Sequence, residues 1–143
     1  MLCDIRSIFN VGSFFRTAAA FGAEEIILCG ITGGPPRADL SKVALGSEAL
    51  VPWRYHRDAR PVLENLEAEG QALFLFDTGE NSRPLPSGPG KAGAVLVFGA
   101  ERGGINPDLA SRFGPPYRIP HPGPKESLNV SVSAGICLFE ARR

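Results

Sequence analysis

Two continuous apolar runs constrain the fold of this chain most strongly. Residues 72–76 read Ala-Leu-Phe-Leu-Phe, and residues 94–98 read Ala-Val-Leu-Val-Phe. Apolar runs of this length, without alternating polar positions, are typical of strands that are buried on both faces of a parallel sheet. Residues 25–29, which contain Ile-Ile-Leu, and residues 2–5 predict two further strands.

Helical patterns separate these strands. Apolar side chains within residues 11–21 mark one helical face, with Asn10 as the predicted N-cap and Gly22 as the predicted C-cap. Residues 39–45 and 58–69 predict two more helices. The alternation predicts an α/β fold, a mostly parallel sheet with helices on both faces. Ligands of such sheets bind beyond the carboxyl ends of the strands.

The C-terminal segment combines a proline-rich turn with the start of a helix. Pro120, Pro122 and Pro124 exclude both helix and strand pairing, so the backbone has to turn there. Ser127 or Asn129 then caps the next helix, where free amides and the helix dipole favour a polar ligand. Spacing alone leaves ordinary capping and ligand binding both open. Spacings of three and four predict one buried face of this helix, formed by Leu128, Val132, Ile136 and Phe139.

Length and composition favour one globular domain covering residues 1–143. Of the 143 residues 43% are hydrophobic, which suffices for one core. The chain has no apolar stretch of about 18 residues and no signal-peptide pattern, so we expect a soluble, cytoplasmic protein. Cys3, Cys29 and Cys137 lie far apart among apolar neighbours, which predicts buried reduced thiols. With only two histidines besides, no metal site is expected.

Three features are ambiguous by themselves. Arg16 lies about six residues beyond Asn10, and a helical arginine is usually a solvated surface residue. Trp53 and Tyr55 either stack on a base or close the core, and we favour the core because isolated aromatic side chains usually pack. The glycine-rich segment 99–107 lacks the lysine of a phosphate-binding loop and does not match the dinucleotide fingerprint.

Three ordered motifs identify a family resemblance. They are Asn10-x-Gly12-x-x-x-Arg16-Thr17-Ala18, then Gly99-x-Glu101-x-x-Gly104, then Ile119-Pro120 followed by Ser127-Leu128-Asn129-Val130-Ser131. In this order they resemble the motifs of the SpoU/TrmH family within the SPOUT superfamily. That family comprises RNA ribose 2'-O-methyltransferases that depend on S-adenosylmethionine. The resemblance covers nearly the whole chain, residues 4–143.

The resemblance implies a fold, a cofactor and an assembly. Its fold is a parallel sheet whose C-terminal segment forms a deep trefoil knot, a rare exception to unknotted chains. Its members work as homodimers with the active site near the interface. The substrate is a structured RNA, and the choice between tRNA and rRNA stays open. The resemblance assigns S-adenosylmethionine binding to Phe76, Asp77, Gly99, Ile119, Ser127 and Leu128.

The same resemblance assigns the catalytic residues Arg16, Asn10, Glu101, Ser127 and Asn129. A guanidinium, with a pKa above about 12, is a poor proton acceptor. We therefore expect Arg16 to grip the RNA phosphate and to stabilise negative charge that develops on the ribose oxygen. Asn10 is expected to orient Arg16 or the ribose, and Glu101 to fix Arg16 or the loop. Ser127 and Asn129 are expected to hold the loop and the substrate backbone.

The chain departs from many relatives in two respects. Ala100 stands where many have Asn, and because the first motif lies close to residue 1 we expect no separate RNA-binding domain before it. With 15 basic and 15 acidic residues the net charge is zero, so RNA recognition is expected to rest on a local, salt-sensitive patch. Its candidate residues are Arg6, Arg37, Lys42, Arg54, Arg57, Arg102 and Lys125.

Two alternative functions remain. A knotted RNA-binding or assembly module without methyl transfer predicts RNA association without cofactor binding. A different nucleotide-binding α/β enzyme that uses the loop at 99–104 predicts binding of a nucleoside triphosphate.

Overall fold

The computed structural model describes residues 1–86 and 93–143, and in that part of the chain seven strands form one sheet. The strands are β1 (Leu2–Cys3), β2 (Ile26–Cys29), β3 (Trp53–His56), β4 (Ala72–Phe76), β5 (Arg83–Pro84), β6 (Ala94–Phe98) and β7 (Tyr117–Arg118). Their order is β3-β2-β1-β6-β4-β7-β5, and each of these neighbouring pairs is parallel. The predicted parallel sheet is therefore confirmed.

Helices cover both faces of this sheet, as predicted. They are α1 (Ile8–Ala20), α2 (Ala38–Ala44), α3 (Ala59–Ala68), α4 (Pro107–Phe113) and α5 (Val130–Ala141). One apolar core lies between the sheet and α1, α2 and α5, and a second lies between the sheet and α3 and α4. Apolar side chains of β2 and β6 alternate between the two cores, which explains why these strands read as continuous apolar runs.

The predicted cap of α1 is wrong. Ser7 caps this helix, because its side-chain oxygen accepts a hydrogen bond from the backbone N–H of Asn10. Asn10 therefore lies inside the first turn, where its side chain is free to contact other segments. At the other end Phe21 is the C-cap, and Gly22 follows with a positive φ of 62°.

The predicted buried face of α5 is also wrong. Val132 and Phe139 are 52% and 53% exposed, whereas Ala134 and Cys137 are fully buried. The helix is apolar on nearly every side, so spacing could not identify its inner face. Small residues form the inner face instead, and Gly135 lies beside α1, where the position of a Cβ would be 3.7 Å from Cγ2 of Thr17.

Trp53 and Tyr55 do not close the core. They are 38% and 51% exposed, because β3 is an edge strand of the sheet. The predicted state of the three cysteines is confirmed, since all are buried and none forms a disulfide.

Membrane-spanning helices and metal sites were also considered for the described residues. Within 1–86 and 93–143, no helix has the length and apolar character needed to cross a bilayer. In the same ranges, no three potential ligands among His, Cys, Asp and Glu cluster closely enough to hold a metal ion.

Candidate functional site

A cavity of about 600 Å³ opens beyond the carboxyl ends of β4, β6 and β7. The start of α5 and the proline-rich turn before it close the cavity on the remaining side. All six residues that the sequence assigned to the cofactor line this cavity: Phe76, Asp77, Gly99, Ile119, Ser127 and Leu128. The structure thus brings them together, while their role in binding stays a prediction.

The glycine-rich segment 99–104 forms a tight loop at the cavity wall. Ala100 and Gly104 exchange two backbone hydrogen bonds of 3.0 and 3.1 Å between N and O. A Cβ at Gly99 would lie 2.1 Å from the backbone oxygen of Gly104, closer than any real contact. Only glycine permits this approach of the two backbone segments.

Asp77 ties this loop to the end of β4. Its two carboxylate oxygens accept hydrogen bonds from the backbone N–H of Thr78, at 2.6 Å, and of Ile105, at 2.9 Å. A Cβ at Gly104 would lie 2.2 Å from Oδ2 of Asp77. The carboxylate that the sequence assigned to the cofactor therefore also shapes the cavity wall.

Glu101 accepts three hydrogen bonds that join the first and second motifs. The donors are the backbone N–H groups of Arg6 and Ser7, both at 3.0 Å, and Nδ2 of Asn10 at 2.9 Å. Partial burial raises the pKa of Glu101, but these three donors outweigh it and hold the pKa below its ordinary value. The side chain is therefore a stable carboxylate that fixes the start of α1.

Asn129 joins the third motif to the first. Its Nδ2 donates to Oδ1 of Asn10 at 3.1 Å. Its own Oδ1 accepts from the backbone N–H groups of Ser131 and Val132, which makes Asn129 the cap of α5. Of the two predicted caps the structure selects Asn129, and Ser127 lies exposed on the cavity wall.

His121 is a cavity residue that sequence reasoning missed. Its Nδ1 lies 2.9 Å from the backbone oxygen of Ile119, and its Nε2 lies 2.8 Å from that of Lys125. The ring therefore spans the proline-rich turn and holds it closed. Its position in Pro-His-Pro was the signal. Prolines have no backbone N–H, so the carbonyl oxygens of this turn have few backbone donors and are left for a side chain to bond.

Arg16 does not join the other predicted catalytic residues. It lies on the exposed side of α1 and is not a residue of the cavity wall. Within residues 1–86 and 93–143, neither Asn10 nor Glu101 makes a hydrogen bond to Arg16; the two bond to each other instead. Within the described residues, the contacts of Glu101 fit its expected role of fixing the loop, and the roles of Asn10 and Arg16 stay predictions.

Comparison with known proteins places this arrangement in a family. A sequence profile described as the SpoU rRNA Methylase family matches residues 1–139. A 23S rRNA (guanosine-2'-O-)-methyltransferase of Vibrio parahaemolyticus is 33% identical over 94% of this chain and 54% of the relative. A tRNA (guanosine(18)-2'-O)-methyltransferase of Thermus thermophilus is 29% identical over 100% of this chain and 73% of the relative.

A solved structure shows the same fold. The AdoMet-bound rRNA methyltransferase of Sinorhizobium meliloti has a TM-score of 0.86 and 31% sequence identity. The match covers 99% of this chain and 54% of that protein. The chain therefore spans about half the length of this protein and of the Vibrio relative.

Proposed function

Because this chain belongs to the SpoU rRNA Methylase family, we propose that it transfers a methyl group from S-adenosylmethionine to a ribose 2'-hydroxyl of tRNA or rRNA. The observation that carries the proposal is that the second and third motifs line one cavity, and that Glu101 and Asn129 of these motifs are both hydrogen-bonded to Asn10 of the first motif. The relatives' names support both an rRNA and a tRNA substrate. We treat residues 1–143 as one methyltransferase domain.

The cavity fits the cofactor. Its volume of about 600 Å³ is within the usual range of about 300–1,000 Å³ for small-molecule sites. Gly99, Ile119 and Leu128 are proposed to meet the adenine through their backbone groups, and Phe76 adds an apolar wall. When bound, S-adenosylmethionine supplies an electrophilic methyl group on a positively charged sulfur.

The 2'-hydroxyl has to lose a proton during methyl transfer, and the described side chains limit where that proton goes. Glu101 is a weak base, because three donors already hold its carboxylate and lower its pKa, outweighing the effect of partial burial. A guanidinium remains protonated, so Arg16 is not a base either. We propose that the proton leaves to the adjacent RNA phosphate or to water. Arg16 then grips that phosphate and stabilises the developing oxyanion.

Arg16 requires a second copy of the chain to reach the reaction. Helices α1 and α5 lie side by side, with Asn10 next to Asn129 and Thr17 next to Gly135. Val132 and Phe139 expose apolar surface on the outer side of α5. We propose that two copies pair through this α1/α5 face, since exposed apolar side chains favour association. In that homodimer Arg16 would lie at the interface.

We further propose that residues 117–143 are threaded as a deep trefoil knot. The strand β7 follows β6 in the chain, yet it inserts between β4 and β5, and α5 then returns across the sheet to α1. That path, together with the knot that the family resemblance implies, supports the proposal. We propose a cytoplasmic location, where tRNA and rRNA substrates are available.

Calorimetric titration with S-adenosylmethionine and S-adenosylhomocysteine, beside a methyl-transfer assay on cellular RNA, tests the function. For Arg16→Ala we expect cofactor affinity within about 3-fold of wild type and a methylation rate at least about 100-fold lower, because charge stabilisation of this kind contributes about that much. Arg60→Ala is the matched control, since Arg60 is an exposed helical arginine on α3 whose partner is Glu64. A wild-type protein that binds neither compound contradicts the methyltransferase proposal.

A further inference from the structure

Two aromatic side chains stand exposed on the edge of the sheet. Trp53 and Tyr55 occupy alternate positions of β3, so both side chains lie on the same face of the strand. They are 38% and 51% exposed. Neither side chain has a role in the methyl transfer proposed above.

The loop that follows β2 lies beside both rings and bonds to one of them. The hydroxyl of Tyr55 donates to the backbone oxygen of Gly30 at 2.7 Å. A Cβ at Gly34 would lie 3.6 Å from Cζ3 of Trp53 and 2.6 Å from Cδ1 of Leu28. The loop backbone thus passes close to Leu28 and beside the indole, and the hydrogen bond to Gly30 fixes the ring of Tyr55. Rings that are already ordered lose little conformational entropy when a ligand stacks on them.

One arginine lies in the loop that packs beside the rings. Nη1 of Arg37 lies 3.6 Å from the Cβ position of Gly33, in the same loop as Gly34. Arg57 follows the strand, whereas Arg54 lies between the two ring positions, so its side chain is on the opposite face of β3. Arg37 pairs with Asp39 and Arg54 with Glu25, but these ion pairs are exposed and hold the cations weakly. The guanidinium groups remain available to phosphates.

Tyr55 lies towards the carboxyl end of β3, the end of the sheet at which the cavity opens, and Trp53 precedes it by two residues. Register aligns Tyr55 with Leu28, Leu28 with Leu2, and Leu2 with Phe98. Three inter-strand spacings of about 4.8 Å give about 14 Å across the sheet. Phe98 lines the cavity and directly precedes Gly99. One RNA strand a few nucleotides long spans such a distance, since stacked nucleotides rise about 3.4 Å each.

We propose that Trp53 and Tyr55 form a stacking platform for unpaired bases of the RNA, a few nucleotides from the ribose that is methylated. The inference rests on the proposed function, because it adds a recognition surface to the same substrate. Exposed aromatic rings beside a loop that carries Arg37 fit single-stranded RNA, whose bases stack on aromatic faces while its phosphates meet cations. The hydroxyl of Tyr55 is occupied by Gly30, so this side chain offers its ring rather than a hydrogen-bonding group.

Fluorescence tests the platform directly, because Trp53 is the only tryptophan of the chain. Single-stranded RNA oligonucleotides are titrated into the wild-type protein in the absence of cofactor, beside duplexes of the same sequence. We expect single strands to quench the Trp53 emission, whereas duplexes, whose bases are paired, leave it nearly unchanged. Equal quenching by both forms, or none by single strands, overturns the proposal.

Variants separate ring stacking from fold. Trp53→Leu and Tyr55→Leu should weaken RNA binding between about 5- and 150-fold each in filter binding, the range for loss of one stacked base. Trp53→Phe and Tyr55→Phe keep a ring and should bind within about 5-fold of wild type. Leu50→Ala is the control, because Leu50 is 74% exposed but carries no ring. Affinity for S-adenosylmethionine should stay unchanged in all of them.

The outcomes distinguish this inference from the proposed function. If the wild type methylates RNA but Trp53→Leu and Tyr55→Leu bind RNA normally, the platform is wrong and the function stands. If RNA quenches Trp53 in a protein that does not bind the cofactor, the platform stands and the methyltransferase proposal fails. If Trp53→Leu instead abolishes self-association in analytical ultracentrifugation, the edge is an interface between copies and the platform is overturned.

Discussion

Two parts of the candidate site are held together by different kinds of contact. We call residues Asp77, Gly99, Gly104 and Ile105 the cavity wall, and Glu101, Asn10 and Asn129 the motif junction. Backbone segments approach so closely in the cavity wall that a single Cβ would collide at 2.1 or 2.2 Å. The motif junction consists of hydrogen bonds of 2.9 to 3.1 Å between partly exposed side chains.

The difference suggests that the two parts tolerate change differently. Packed backbone has no room to adjust, so a small addition to the cavity wall displaces the loop. A side-chain hydrogen bond contributes only about 1 kcal/mol net. Removing one bond of the motif junction therefore shifts its side chains without unfolding the domain. We therefore expect wall variants to lose fold and cofactor together, and junction variants to lose mainly RNA methylation.

The largest effect is expected for Gly104→Ala. Gly104 has a φ of 64°, and its Cβ would overlap the carboxylate of Asp77. Left-handed backbone strain and overpacking together should lower the free energy of unfolding by about 2–4 kcal/mol. Cofactor affinity should fall at least about 10-fold, as measured by calorimetry beside urea unfolding.

Gly103→Ala is the matched control in the same loop. Gly103 also has a positive φ, of 92°, but a Cβ there meets nothing within 4 Å. This variant should show only the backbone strain, about 1 kcal/mol, with nearly normal cofactor binding. Equal losses in both variants would show that close packing against Asp77 does not distinguish the two positions.

A smaller effect, on activity more than on stability, is expected for Glu101→Gln. The amide replaces one acceptor by a donor that faces the N–H groups of Arg6 or Ser7, at a cost of about 1–3 kcal/mol. We expect methylation to fall at least about 10-fold while cofactor affinity stays within about 3-fold. Glu64→Gln, on the exposed side of α3, is the control. A loss of cofactor affinity as large as in Gly104→Ala would remove the distinction between wall and junction.

Sequence patterns predicted those helices and strands whose apolar residues show directly which of their faces are buried. The helix α3 was predicted nearly to its ends, because Val62, Leu63 and Leu66 form a single apolar stripe among charged residues. The apolar strands β4 and β6 were predicted for a different reason: both of their faces are covered, so their sequences are continuously apolar. The cavity-lining residues were identified from the family motifs, and spacing alone would not have found them.

Patterns failed where tertiary contacts choose between equivalent options. Asn10 and Ser7 are both suitable residue types for a helix cap. Ser7 is the cap, and the side chain of Asn10 instead forms hydrogen bonds with Glu101 and Asn129. The edge position of β3 leaves Trp53 and Tyr55 exposed, and strand order cannot be obtained from local sequence. The separation of Arg16 from the cavity likewise depends on where α1 packs.

Asn129→Asp tests one bond of the motif junction with a smaller expected effect. The carboxylate still caps α5 and favours the helix N-terminus, so stability should change by less than about 0.5 kcal/mol. It no longer donates to Oδ1 of Asn10, so methylation should fall about 5- to 10-fold. Asn129→Ala loses the cap as well and should unfold about 1 kcal/mol more easily. Equal activity in Asn129→Asp and wild type would show that this bond does not orient the site.

The smallest expected effect is a pH dependence that belongs to the motif junction alone. Partial burial of Glu101 is outweighed by its three donors, so its folded-state pKa lies below the ordinary value of 4.5. A lowered pKa adds stability at pH values above 4.5, and this stability is lost as pH falls through the folded-state pKa.

In urea unfolding, the difference in unfolding free energy between wild type and Glu101→Gln should therefore be constant from about pH 7 to 5 and shrink in more acidic buffer. A Glu101 gap that widens in acid would mean that burial, rather than hydrogen bonding, dominates at this carboxylate, and that the motif junction is not held by charge.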